Sequence, residues 1–151
     1  MTRDRDMRLS SPELRKELLE ILRELLDIEH PRQFKVNNEF LLEFKDDYSD
    51  CIVQFIYFRL GCNFLYARTS LMENPERAIS IFLHNQKEVQ TIKAVVQALE
   101  RVFTVVGIDA LTEEYLSCSE WLDVIVTVTD ALWVMKRNDA VIELEHNYYS
   151  F

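Results

Sequence analysis

The spacing of apolar residues constrains this chain most, because its period changes along the length. Leu14, Leu18, Ile21, Leu22, Leu25 and Leu26 recur every three or four residues, the repeat of one helix face. Arg15, Lys16, Glu17, Glu20, Arg23 and Glu24 fall mostly off that face. Ser11 precedes the stripe as an N-cap, Pro12 suits the first helical position, and Glu13 complements the positive end of the helix dipole. Pro31 disfavours helical geometry at His30, so the helix ends near Ile28 or Glu29. A second stripe comprises Val89, Ile92, Val95, Val96, Leu99, Val102 and Phe103. Asn85 and Glu88 have the spacing of a capping box before it, and Gly107 stands where a glycine ends a helix.

Between these stripes, over 34–69, the alternation shortens to two. Phe40, Leu42 and Phe44 alternate with Glu39, Leu41 and Glu43, and 45–50 reads as a turn. The aromatic and β-branched run 51–60 reads as a strand covered on both faces. Gly61, Cys62 and Asn63 read as a reversal into a third strand, 64–68, and 78–83 as a fourth. Segment 112–135 fits either period. Trp121, Leu122, Ile125, Val128, Leu132 and Met135 share a helical face, whereas Leu122, Val124, Val126 and Val128 alternate as in a strand. Its length favours helix. Residues 141–145 read as a short last strand. The expected fold is therefore α+β: an N-terminal helix, an antiparallel meander of three to four strands, and two C-terminal helices packed on the sheet. Residues 1–10 read as a mobile charged arm and 11–151 as a single domain, a size that buries an adequate core.

Several function classes are disfavoured at this level. Only Gly61 and Gly107 are present, so neither common glycine-rich phosphate loop exists. The net charge of −9 opposes binding to nucleic acid or to an anionic membrane surface. No apolar run approaches the length of a membrane span, and the charged start lacks the apolar stretch of a signal peptide. Cys51, Cys62 and Cys118 have no metal or disulfide spacing, which points to free thiols in the cytoplasm, with no cofactor. His30, His84 and His146 are scattered, and acidic neighbours surround Cys118, so neither suggests a catalytic centre.

The charge distribution is uneven. Between Arg101 and Lys136 there is no basic residue, while Asp109, Glu113, Glu114, Glu120, Asp123 and Asp130 supply six acids. A second stretch holds Glu39, Glu43, Asp46, Asp47 and Asp50 against Lys45 alone. Tyr115 and Trp121 lie inside the first field, where aromatic anchors would add affinity to electrostatic steering. The reading is a non-enzymatic domain that docks a basic protein, a toxin or nuclease inhibitor of the immunity type being its most concrete form, as monomer or homodimer. An adaptor or secretion-chaperone-like domain holding an extended segment at a sheet edge is the alternative. A small enzyme using an unrecognised carboxylate pair is a third reading.

Overall fold

The structure is a computed structural model, and it describes residues 9–28, 52–62, 64, 70–108 and 110–149. Helix α1 spans Pro12–Asp27, α2 Ile52–Cys62, α3 Gln86–Val106, α4 Thr112–Ser117 and α5 Trp121–Tyr149. A 3-10 turn, Pro75–Ala78, precedes α3. There is no sheet among the described residues; an isolated bridge between Ile79 and Leu83 is the sole β pairing there. The α+β expectation is therefore overturned, and the protein is helical.

The first and third helices follow the sequence closely. In α1, Leu14, Leu18, Ile21, Leu22 and Leu25 are buried, and Pro12 opens the helix. In α3, the Asn85 side chain accepts a hydrogen bond from the Glu88 backbone N–H at 3.1 Å. Gly107 closes α3 with φ of 106°, a value at which an L side chain is strained.

The expected strands failed for identifiable reasons. Segment 52–62 is apolar nearly all round, which hides a helical period in which Val53, Ile56 and Leu60 are fully buried. Of its rings, Tyr57 packs edge-on to Phe103 at 4.8 Å, Arg59 lies over Phe55, and Phe58 is exposed. Gly61 sits inside α2 rather than in a reversal. An added Cβ there would meet the terminal methyl of the Met72 side chain, which packs against Gly61 from the 70–74 turn. Segment 78–83 coils instead of extending. The Ala78 carbonyl accepts from the N–H groups of Ile81, Phe82 and Leu83, and Ser80 takes a φ of 75°. The Phe82 ring stacks on Phe64 at 4.8 Å. The proposed strand at 40–44, its turn, and 65–68 lie outside the described residues, as do residues 1–8 of the charged arm. Ser10 and Ser11 donate to the Ser80 and Ile81 carbonyls.

Segment 112–135 is helical in two pieces, broken at 118–120, and α5 runs on through 141–145 in place of a last strand. Its β-branched run is accommodated partly because Thr127 turns its hydroxyl back to the Asp123 and Val124 carbonyls. Helices α3 and α5 pack antiparallel: Glu88 near the start of α3 meets Asn138, and Arg101 near its end meets Asp123. Helix α1 packs on both α5 and α2, the latter contact including the Arg59–Glu24 ion pair. Together they enclose one apolar core, in which Trp121, Val124, Val128, Ala131, Leu132 and Met135 form the contribution of α5.

Candidate interaction surface

A buried polar cluster joins α1, α3 and α5. Arg15 projects inward from α1, and its five N–H donors all find acceptors. It grips Glu88 bidentately at 2.8 and 2.9 Å, reaches Asp139 at 3.0 Å, and donates to the Phe82 and Met135 carbonyls. Glu88 is fully buried and accepts two further hydrogen bonds, from the His84 backbone N–H and the Asn138 amide, each at 2.8 Å. Its carboxylate thus bonds to the N–H of His84 rather than that of Asn85, the partner a capping box would use. His84 Nε2 lies 3.1 Å from Asp139 Oδ1. Burial alone would push the Asp139 carboxyl up; the His84 hydrogen bond and the Arg15 charge outweigh it and hold the group below the usual carboxylate range. Burial opposes the Arg15 charge too, but Glu88 and Asp139 raise its pKa further. Every strong valence of Arg15 and Glu88 is used inside the fold, so these groups brace three helices and are not poised for chemistry.

The acidic residues are distributed differently from the expected field. Glu113 and Glu114 are exposed on α4, where Glu114 also accepts from the Leu111 N–H at 3.3 Å. Glu120 is half-buried beside Ser119, whose hydroxyl donates to it. Asp123 and Asp130 are exposed on α5, Asp123 standing 3.7 Å from Arg101. Asp109, Asp46, Asp47 and Asp50 lie outside the described residues. The two aromatic anchors are core residues. Tyr115 is fully buried, donating to the Gly107 carbonyl at 2.6 Å and accepting from Gln54, and Trp121 is buried against the bundle. An inhibitor surface with these rings as anchors is therefore not what the fold presents. Nor does the described part offer a sheet edge for an extended client.

What it presents instead is a second apolar face on α5. Leu122, expected in the buried stripe, is 66% exposed, and Val126, Trp133 and Leu144 are similarly exposed. At about 100° per residue, Leu122, Val126, Trp133, Ala140 and Leu144 fall within roughly 40° of one another, nearly opposite the core-facing residues. They form a ridge roughly 33 Å long. The Arg137 guanidinium lies 5.2 Å from the Trp133 ring centroid. Beside the C-terminal half of the ridge runs a groove of about 410 Å³, between α5 and the start of α3. Val134, Val141 and Ile142 line its wall, and Lys87 and Glu145 also border it. The signal for this ridge was present in the sequence as intervals of four, seven, seven and four residues, half a turn out of phase with the buried set. Trp133 belongs to this second phase and not to the core stripe.

Fold and surface together define a helical protein with an ionic brace inside and an apolar ridge outside. No described helix is long and apolar enough to cross a membrane, and no group of three or more His, Cys, Asp or Glu among the described residues could hold a metal ion. The chain belongs to the family described as Domain of unknown function (DUF7945), whose model matches residues 9–141. That span takes in the whole brace and the ridge as far as Ala140. No curated protein and no solved structure matches the chain.

Proposed function

We propose that this is a non-enzymatic protein-interaction domain of the cytoplasm that docks its partner through the outer face of α5. The observation that carries the reading is the ridge itself: a helix apolar on two opposite faces is a helix meant to be covered on both. The core covers one. Trp133 at the centre of the other is the kind of large, half-apolar ring that anchors interfaces. Exposed Asp123 and Asp130 border the N-terminal half, and Lys136 and Arg137 the C-terminal half, which supplies a charged rim around an apolar centre. The saturated brace supports the non-enzymatic part, since its buried carboxylate is fully engaged. The free thiols of Cys62 and Cys118 suit a reducing compartment.

Site-specific photo-crosslinking in the native host tests this. A photoreactive phenylalanine analogue replacing Val126 should yield a discrete protein adduct, and the same analogue at exposed Lys16 on α1 should not. Adducts at neither position, or equal adducts at both, would remove the special status of the ridge.

A further inference from the structure

The ridge residues are spaced evenly about one midpoint, and charges of opposite sign flank that midpoint on one side of the ridge. Trp133 stands midway between Leu122 and Leu144 in sequence, and Val126 and Ala140 are likewise equidistant from it. About the same midpoint, Asp130 is three residues before Trp133 and Arg137 four after. Both sit on the same flank of the ridge, roughly 40–60° from its apolar centre line. Both are exposed, and neither has an ion-pair partner among the described residues.

From this we infer that the occupant of the ridge is a second copy of this chain, with the two α5 helices antiparallel about a twofold axis at Trp133. The inference rests on the reading of the ridge as a docking surface and specifies what docks there. A twofold perpendicular to two facing antiparallel helices keeps each flank on its own side while reversing direction along the axis. Leu122 of one copy therefore meets Leu144 of the other, and Val126 meets Ala140. The two Trp133 rings meet at the centre. Asp130 arrives within about one residue of the opposing Arg137, and symmetry makes this contact twice. A parallel pairing in register would instead carry the two flanks to opposite sides of the interface and leave Asp130 away from the partner's Arg137. The charge pattern thus selects one orientation as well as one partner. The Arg137 guanidinium, already resting over its own Trp133, is held on the flank where the opposing carboxylate lands.

Charge reversal across this contact tests the arrangement, because the residues are exposed and their exchange leaves the fold intact. The purified 18.0 kDa chain should sediment as a dimer at micromolar concentration. Asp130→Arg and Arg137→Asp should each weaken self-association by about tenfold or more, since each sets like charges opposite one another twice. The double variant should regain dimerisation, and so should a mixture of the two single variants, which pairs one all-basic with one all-acidic ridge. Circular dichroism of each variant confirms that helix content is unchanged. A wild-type chain that remains monomeric at 100-fold higher concentration would overturn the inference. So would a dimer indifferent to both single reversals, or one that the double variant fails to restore. If the chain is monomeric while Val126 still crosslinks to a different protein, the docking surface survives and self-pairing alone is wrong.

Discussion

Arg15 shows how far a single residue can depart from what its neighbours imply. It lies in a run of charged side chains that alternate with the α1 leucines, and its type alone suggested solvent. Yet it is almost wholly buried, because Glu88 and Asp139 come to it from positions 73 and 124 residues away in sequence. No local pattern carries that pairing. The nearest clue was Glu88, whose place in a capping-box spacing was legible but whose buried partner was not. The brace predicts a definite energetic outcome. Arg15→Met strands a buried carboxylate, and by analogy with other broken buried pairs it should cost about 3–5 kcal/mol in urea denaturation. Adding Glu88→Met should recover most of that loss, because an apolar pair removes the desolvation penalty on both sides. If the double variant is as unstable as the single one, the cluster contributes through its wider hydrogen bonds and not through this ion pair.

At the level of elements, legibility tracked how one-sided each helix is. Helices α1 and α3 each have one apolar face and one polar face, so their period, their starts and their ends could be read directly, although the Ser11 side chain makes no capping hydrogen bond. Helix α2 is apolar almost all round and α5 apolar on two faces, so in both a strand-like alternation appeared where a helix exists. Within α5 the two readings separate cleanly at Val126 and Val128. In a strand these residues share a face and respond alike to substitution. In the helix they point about 160° apart, Val128 fully buried and Val126 65% exposed. Val128→Asp should therefore cost several kcal/mol, on the order of the whole domain stability, while Val126→Asp should change the stability of the dissociated chain by no more than about 0.5 kcal/mol. Equal losses in both, measured by denaturant titration, would contradict the described orientation of α5.

Across the whole molecule, the acidic balance was evident from composition, but its arrangement was not. Six acids between Arg101 and Lys136 looked like one field because they are close in sequence. The described ones divide between α4, the turn before α5 and the outer face of α5, and their aromatic companions Tyr115 and Trp121 serve the core. The surface that stands out is apolar, centred on the tryptophan that sequence periodicity had left unassigned. On this reading Trp133 is covered by a partner and Trp121 by the fold. Oxidative labelling of the two tryptophans measures both at once, comparing dilute purified protein with the protein in concentrated native extract. Trp121 should resist labelling in both, while Trp133 should label readily when dilute and be protected in the extract. A Trp133 that is equally reactive in both conditions would contradict this reading.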